Sequence, residues 1–458
     1  MKIIILGAGQ VGISTAEILA REDNDITLID NVASQVEGLQ DRLDIRTIVG
    51  SASHPSVLEQ AGGPDADLIL AVTDQDEVNM AACQVAYTLF RTPKKIARIR
   101  SVEFLTHREI FSDESIPIDV IISPEQLVTQ HVLHLIEYPG ALQVVDFAGG
   151  KIQLVGLNAY HDGPLVGREL RTIREDLPTV EARVAAIYRH NRPFIPEGDT
   201  VIEPDDEVFI VAAAPHIPIV MSEFCAVEAP SQNIMLAGAG KIGLQLARTL
   251  EQNNYQVKLI EHGAERARQV AEQLDATIVL RGDAADEDLM LQENIDAMDV
   301  FCSLTNDDEA NILSAMLAKR LGARRTMALI NRSAYVDLIE SSVLDVAISP
   351  SLITVGSLLT HIRRGDTIAV HSLRRGAAEA IETIAHGDAT SSNVVGRRIE
   401  ELSLPSGTRV GALLRNQEVI IPHHDTIIEA EDHVILFVID KKHIRDVERL
   451  FQVKVTFV

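Results

Sequence analysis

The chain has 458 residues, enough for about three or four domains of ordinary size. Hydrophobic residues make up 46% of it and the formal net charge is −26, which favours a packed interior and disfavours binding to nucleic acid phosphates. No apolar run approaches the ~18–20 residues of a membrane span and the chain opens directly on a strand-like segment, so we expect a soluble, cytoplasmic protein without a cleavable leader.

The first part of the chain alternates short β-rich runs with helical patterns, including helices that begin at Gln10 and Asp76. Short strands joined by such helices predict a parallel sheet with right-handed crossovers. The predicted strands are residues 2–6, 25–30, 46–49, 67–72, 95–100 and 119–122.

A further helix is predicted from Pro124, because proline is favoured in the first turn of a helix. It ends near Glu137, where the sequence Tyr-Pro-Gly follows. Short alternating segments with glycine and proline turns come next, and they predict a smaller α+β domain.

The same pattern then occurs a second time, which indicates a tandem duplication. GAGQVG at residues 7–12 is matched by GAGKIG at residues 238–243, and the β-rich tails also align. Further matched pairs are Asp30 with Glu261, Gly50 with Gly282, Thr73 with Thr305, Glu77 with Glu309 and Asn79 with Asn311.

The predicted fold class is therefore α/β, with two Rossmann-like parallel-sheet domains, each followed by a small α+β domain. The predicted segments are a Rossmann-like domain (1–123), a connecting helix (124–139), a small domain (140–227), a linker (228–232), a second Rossmann-like domain (233–349), a second connecting helix (350–364) and a second small domain (365–458).

The glycine motif lies between a strand and a helix, where backbone N–H groups and the positive helix end stabilise phosphate. Gly7 suits the tight turn, Gly9 lets phosphates approach the backbone, and Gly12 permits close helix–strand packing. Asp30 follows at the tip of the second strand, where a carboxylate accepts ribose hydroxyls and repels a 2′-phosphate. Glu261 has the same spacing in the second copy, although glycines that serve only a tight turn remain the alternative there.

Other polar residues are predicted at the carboxyl edge of the first sheet. Thr73 ends the fourth strand, and Arg98 and Arg100 alternate along the fifth. Either arginine is suited to bind a polyphosphate, and a salt bridge to the acidic surface is the alternative. If Arg100 contacts a terminal phosphate, Arg100→Ala should weaken the distinction between ATP and ADP.

The second copy differs at this edge. In sequence alignment Arg332 takes the place of Arg100, but Ile330 takes the place of Arg98. Lys241 replaces Gln10 beside the second glycine loop. The two clefts are therefore expected to prefer different ligands.

Nothing in the sequence resembles the catalytic machinery of an enzyme: there is no GxSxG, HExxH or Walker lysine–serine motif. His131 and His134 lie one helical turn apart, where a packed or exposed helix face is expected rather than a metal site. Three cysteines, Cys83, Cys225 and Cys302, are too widely spaced to suggest a disulfide framework or a zinc knuckle.

Several long strings resemble the peripheral regulatory subunits of bacterial Trk potassium-uptake systems, a family with two tandem RCK units per chain (regulator of conductance of potassium, also called KTN). They are MKIIILGAGQVG, GSASHPSVLEQAG, DEVNMAACQVAYTLF, IEYPGALQVVDF, NDDEANILSAMLAKR, HSLRRGAAEAIE and DKKHIRDVERLFQ, and they span the whole chain.

The resemblance implies a regulatory subunit and not an enzyme. It implies NAD/NADH and ATP/ADP as ligands, a homo-oligomeric dimer or tetramer ring, and a membrane-spanning potassium-translocating partner at the cytoplasmic face of the inner membrane. The candidate binding residues are Gly7, Ala8, Gly9, Gln10, Val11, Gly12, Asp30, Thr73, Arg98 and Arg100 in the first copy, with Gly238, Ala239, Gly240, Lys241, Ile242, Gly243, Glu261 and Thr305 in the second.

Two other functions remain as alternatives, an NAD-dependent oxidoreductase and a free-standing nucleotide sensor without a role in transport.

The helices at residues 76–90 and 308–322 are apolar nearly all round. They are buried in the core or pack partly against a sister domain.

Overall fold

The computed structural model describes all residues except 23, 162, 164, 165, 173–180, 191, 225–229, 333, 334, 336–343, 363–366, 374–376 and 454–458. Cys225 and the start of the expected linker at 228–232 thus lie outside the described residues. The chain divides into two compact units, of which the first comprises Met1–Val128 and Pro350–Ile362. The second comprises the rest of the described chain.

The first unit contains a six-stranded parallel sheet with strand order β3-β2-β1-β4-β5-β6. Its central strands are buried on both faces, which explains why they consist of continuous Ile and Leu. The strands are β1 (Lys2–Leu6), β2 (Asp25–Asp30), β3 (Arg46–Val49), β4 (Leu68–Ala71), β5 (Lys94–Arg98) and β6 (Val120–Ile122).

Helices connect these strands, and the chain leaves the sheet through a longer helix. They are α1 (Gln10–Ala20), α2 (Ala33–Val36), α3 (Leu39–Arg42), α4 (Pro55–Gln60), α5 (Asp76–Val85) with a π-helical turn (Ala86–Phe90), α6 (Val102–Thr106) and α7 (Pro124–Glu137). The predicted starts at Gln10, Asp76 and Pro124 are confirmed.

The prediction that Arg98 and Arg100 alternate along the fifth strand is wrong. Strand β5 ends at Arg98, because the backbone N–H groups of Arg100 and Ser101 donate to Oδ2 of Asp76 at 2.9 and 2.8 Å. These bonds to a side chain replace further strand pairing and direct the chain away from the sheet.

The first small domain, in the second unit, is an antiparallel sheet with strand order β10-β9-β11-β8-β7. Its strands are β7 (Ala141–Phe147), β8 (Ile152–Asn158), β9 (Ala182–Arg189), β10 (Arg192–Phe194) and β11 (Glu207–Ala213), and helix α8 (Ile217–Phe224) follows.

The second parallel sheet repeats the order of the first as β14-β13-β12-β15-β16-β17. Its strands are β12 (Asn233–Ala237), β13 (Gln256–Glu261), β14 (Ile278–Arg281), β15 (Val300–Ser303), β16 (Arg325–Leu329) and β17 (Val346–Ile348). Its helices are α9 (Lys241–Gln252), α10 (Ala264–Ala271), α11 (Glu287–Gln292) and α12 (Asp308–Arg320), and helix α13 (Pro350–Ile362) follows.

The last part of the chain is a second antiparallel sheet, with order β18-β19-β22-β20-β21, which repeats the connectivity of the first small sheet. Its elements are β18 (Thr367–Leu373), β19 (Ala378–Ile384), β20 (Thr408–Arg415), β21 (Glu418–Ile420), β22 (His433–Val438) and helix α14 (Ile444–Phe451). The predicted architecture of two parallel-sheet domains, each followed by a small α+β domain, is confirmed.

The two small sheets share one hydrophobic core, to which Phe209 of the first and Phe437 of the second contribute. Matched arginines cross this interface. Arg183 donates to the carbonyl oxygen of Pro422, and Arg409 donates to that of Pro196 at 2.6 Å. Because each half supplies the same residue to the other, the contact resembles the two-fold interface of a dimer, within one chain.

The long helices that follow the parallel sheets are exchanged between the two copies. Helix α13 follows the second parallel sheet in sequence but packs against α1 of the first. The end of α7 lies in the second unit, where buried Arg325 donates to the carbonyl oxygens of Leu135 at 2.6 Å, Tyr138 at 3.4 Å and Ala141. Arg325 thereby satisfies the Leu135 carbonyl, one of those that a helix end leaves without an intrahelical partner, and ties the helix end to the start of β7.

None of the described helices combines the length and the low polarity that a bilayer-spanning helix requires.

Cys83 and Cys302 are free and buried, and burial raises the pKa of both thiols to about 12. Their reactive thiolate forms are therefore strongly disfavoured.

Arg325→Ala is expected to lower the free energy of unfolding by about 2–4 kcal/mol, because it removes the buried guanidinium that donates to the carbonyls of Leu135 and Ala141. Urea denaturation followed by circular dichroism measures this. Arg320→Ala is the matched control, since Arg320 is exposed and pairs only with exposed Glu287. Its loss should stay below about 1 kcal/mol. Equal losses in the two variants would contradict the role given to Arg325.

Two histidines make the stability of the second unit depend on pH. Burial lowers the pKa of His131 and of His371 to about 4, from an ordinary value of 6.5. The ring of His371 also packs edge-on against Phe147, with 5.1 Å between ring centroids. Between pH 6.5 and 4 the unfolded chain binds more protons than the folded one, so stability falls as the pH is lowered through this range.

We expect this loss to be about 1–3 kcal/mol per histidine and to be complete near pH 4. Urea denaturation at pH 7.5, 6.0 and 5.0 measures it. His131→Gln and His371→Gln should each reduce the pH dependence, whereas His424→Gln, at an exposed position, should leave it unchanged. An unchanged pH dependence in both buried variants would refute the assignment.

Candidate nucleotide-binding clefts

The first glycine loop leaves an open, positively polarised surface at the start of α1. Gly7 has a φ of +103°, and a Cβ there would lie 3.0 Å from the backbone of Thr73. A Cβ on Gly12 would lie 1.9 Å from the carbonyl oxygen of Gly7, so helix and loop touch there. A Cβ on Gly9, by contrast, would have nothing within 4 Å. Only Gly9 therefore borders open space, and no side chain caps α1.

Asp30, at the tip of β2, holds this loop in place. Its Oδ2 accepts a hydrogen bond from the backbone N–H of Ala8 at 2.7 Å, and its Oδ1 accepts one from Val32 at 2.8 Å. Each carboxylate oxygen keeps a further lone pair. The carboxylate can thus bind ribose hydroxyls without releasing the loop.

Thr73 is fixed at the end of β4 by the fully buried Asn79. Oδ1 of Asn79 accepts from the backbone N–H of Thr73 at 3.0 Å and from its hydroxyl at 2.7 Å. Nδ2 of Asn79 donates to the carbonyl oxygens of Thr73 at 3.2 Å and Arg98 at 2.9 Å. One amide side chain therefore joins the ends of β4 and β5 to helix α5.

The far edge of this cleft, at the end of β5 and the start of α5, contains buried polar atoms without hydrogen-bond partners. Nε of Arg98 and Oδ1 of Asp76 have no hydrogen-bond partner, although both atoms are buried. Burial, and next the charge of Arg100, lower the pKa of Arg98. Arg100 itself is paired, with its Nε 2.8 Å from Oε1 of Glu125. An anion beside Arg98 would offset the cost of burying its charge.

The second glycine loop has the same geometry. Gly238 has a φ of +98°, and a Cβ on Gly243 would lie 2.0 Å from the carbonyl oxygen of Gly238. Gly240 faces open space, as Gly9 does. Thr305 is held by Asn311, whose Oδ1 accepts from the Thr305 hydroxyl at 2.6 Å.

Glu261 accepts the same kind of hydrogen bonds as Asp30, with a longer side chain. Its Oε2 accepts from the N–H of Ala239 at 2.9 Å, and its Oε1 accepts from Gly263 at 2.7 Å. A Cβ on Gly263 would lie 3.2 Å from Oε1, so glycine makes room for the extra methylene group. Arg266 of α10 lies beside the loop and donates from Nε to the carbonyl oxygen of Ala239 at 2.8 Å.

The structure corrects the alignment of the far edges. Relative to the second copy, the first copy has one more residue between the start of α5 and the start of β5, where α5 continues into a π-helical turn. Asn79 and Asn311 mark the true register, because they donate to the carbonyls of Arg98 and Leu329 respectively.

Arg98 therefore corresponds to Leu329 rather than to Ile330. Arg100 corresponds to Asn331 rather than to Arg332, since the N–H groups of Arg100 and Asn331 both bond to the aspartate at the helix start. Arg332 is exposed and pairs with Glu309 at 3.1 Å. The second cleft thus keeps neither arginine of the first.

The remaining candidate residues lie on the loops themselves. Ala8 and Ala239 are buried, whereas Gln10 and Lys241 are exposed at the first position of their helices. Val11 and Ile242 are half-buried in the first turns. No group of three or more potential metal ligands is present among the described residues.

Sequence reasoning missed several residues that organise or border the clefts. In the sequence, Asn79 and Asn311 are recognisable only as a pair in register, which assigns them no role. No sequence pattern marks Asp76 or Arg266 as part of a cleft, because an aspartate at a helix start and an arginine on a surface helix are common.

The fold and the paired clefts define a class of protein with two Rossmann-like domains, each followed by a small antiparallel domain. Family models agree with this division. The TrkA-N domain matches residues 3–124 and 234–350, and the TrkA-C domain matches residues 154–223 and 389–452.

The Trk system potassium uptake protein TrkA of Halomonas elongata is 60% identical over 457 residues, with 100% of both chains covered. The chain belongs to the TrkA family of potassium-uptake proteins, and the predicted family and the prediction that the chain is not an enzyme are confirmed.

Solved structures show the same tandem fold at low sequence identity. The GsuK RCK domain has a TM-score of 0.62 at 18% identity, covering 98% of this chain and 94% of that one. The GsuK channel bound to NAD has a TM-score of 0.60 at 17% identity, covering 98% and 78%.

Asn79→Ala is expected to lower the free energy of unfolding of the first unit by about 2–4 kcal/mol, because it leaves several buried backbone groups without partners. Urea denaturation with a local fluorescent label measures this. Gln84→Ala, on the same helix, removes only a bond to the Thr88 hydroxyl and should cost less than about 1 kcal/mol. A similar loss in both variants would refute this role of Asn79.

Proposed function

We propose that the protein binds NAD(H) and adenine nucleotides in its two clefts and thereby gates a membrane-embedded potassium-translocating subunit. The observation that carries this proposal is the glycine loop held by a carboxylate, present twice. Asp30 and Glu261 each fix a loop amide and retain lone pairs for a ribose. A GsuK channel of the same fold was solved with NAD bound.

Binding is coupled to gating only if the nucleotide prefers one conformation of the assembly. A nucleotide that binds both conformations with equal affinity does not change their populations. A tenfold preference corresponds to about 1.4 kcal/mol, which one charge-assisted hydrogen bond can supply. Arg98, with its unpartnered Nε, and Arg100 are the groups suited to distinguish a terminal phosphate in the first cleft.

The proposed assembly is a homo-oligomer, a dimer or a tetramer ring, peripheral to the cytoplasmic face of the inner membrane. Exposed apolar residues at matching helices support packing of copies: Leu313 and Met316 on α12 are 60% and 40% exposed, and Leu89 in the first copy is 57% exposed. The seven segments expected from the sequence remain our proposal for the domain boundaries.

Gly9→Val and Gly240→Val test the clefts separately. Their side chains enter open space, so each should block one cleft while the fold is kept. Isothermal titration with NADH, ATP and ADP should show one binding site lost in each variant and none left in the double variant. Wild-type binding in the double variant would overturn the proposal.

Arg98→Ala and Arg100→Ala should each lower the affinity of the first cleft for ATP about tenfold and change that for ADP less. Titrations in the Gly240→Val background measure both. Arg98→Ala should have the larger effect, because Arg100 is already paired with Glu125. An unchanged ratio of ATP to ADP affinity in both variants would contradict this assignment.

Transport and the two alternative functions are tested with the same variants. Potassium uptake in cells that lack this subunit should be restored by the wild-type chain and should depend on nucleotide binding. Quantitative recovery of NADH after incubation with candidate substrates would exclude the oxidoreductase. Failure to co-purify with a membrane-spanning partner would favour the free-standing sensor.

A further inference from the structure

The positive charge lies at opposite ends of the two clefts. In the first cleft it is at the far edge, where Arg98 ends β5 and Arg100 follows it. In the second cleft that edge is occupied by Leu329 and Asn331, and the cations, Lys241 and Arg266, lie beside the glycine loop.

The far edge of the second cleft is complete without a ligand. Oδ1 of Asp308 accepts from the backbone and side-chain nitrogens of Asn331 at 2.9 and 3.0 Å, and Oδ2 accepts from the N–H of Arg332 at 2.8 Å. In the first cleft, by contrast, Nε of Arg98 is buried without a hydrogen-bond partner. These groups at the far edge of the second cleft therefore need no third phosphate as a hydrogen-bond partner.

Arg266 is held beside the second glycine loop, the part of a Rossmann-like fold to which the phosphates of a nucleotide bind. Its Nε is bonded to Ala239, inside the loop, while its Nη groups remain to donate, and it forms no ion pair among the described residues. The corresponding residue of the first copy is the exposed Gln35, which is uncharged. A guanidinium fixed by one bond loses little further freedom when it binds an anion.

We propose that Arg266 determines the specificity of the second cleft by binding the loop-proximal phosphates of an adenosine diphosphate group. The ligand class is a nucleoside diphosphate, free or as part of a dinucleotide, and a third phosphate contributes nothing to its affinity. This inference rests on the proposed function of the cleft and adds its ligand preference.

The test uses the full chain with Gly9→Val, so that only the second cleft is open. Isothermal titration with ADP and with ATP should give affinities that agree within about twofold. Arg266→Gln should lower both about tenfold, which corresponds to about 1.4 kcal/mol. Arg268→Gln, on the same helix but 69% exposed, should change neither affinity.

A reciprocal variant tests whether the charge itself is sufficient. Gln35→Arg in the Gly240→Val background should raise the ADP affinity of the first cleft severalfold. Thermal denaturation of each variant distinguishes loss of a contact from loss of the fold, and Arg266→Lys should recover part of the affinity.

A second cleft that prefers ATP over ADP by tenfold, or an unchanged affinity in Arg266→Gln, would overturn the inference and leave nucleotide binding intact. Absence of any nucleotide binding in the folded Gly9→Val chain would overturn the proposed function of this cleft as well. The two failures are therefore distinguishable.

Discussion

The bond between the carboxylate at the tip of the second strand and the second residue of the glycine loop determines the geometry of each cleft. Asp30 and Glu261 accept the N–H groups of Ala8 and Ala239, which orients the loop so that its next glycine faces open space. A buried loop amide without this acceptor would cost about 1–3 kcal/mol. The same interaction thus stabilises the fold and sets the geometry of the candidate site.

The far edge of each cleft depends on a different kind of contact, a buried amide side chain. Asn79 and Asn311 tie the ends of two strands to a helix start, and they fix the backbone from which Arg98 or Leu329 projects. The clefts therefore share this framework and present different side chains from it. A duplicated domain can thus keep its fold while the side chains that line one of its clefts change.

Duplication also gave the chain an internal interface that resembles a dimer. Exchange of the long helices and the reciprocal arginines, Arg183 and Arg409, make each copy depend on the other.

The sequence by itself determined the repeat, both parallel sheets and the loop residues, because strand periodicity, glycine spacing and an acidic strand tip are local signals. The sequence did not show where β5 ends. It also misaligned the counterparts of Arg98 and Arg100, because an ungapped alignment of the two copies does not reveal the extra residue beside the π-helical turn. The exchange of α7 and α13, the pairing of Arg100 with Glu125 and the position of Arg266 were decided only by the tertiary structure. They depend on contacts between residues distant in the chain, for which a single sequence carries no local pattern.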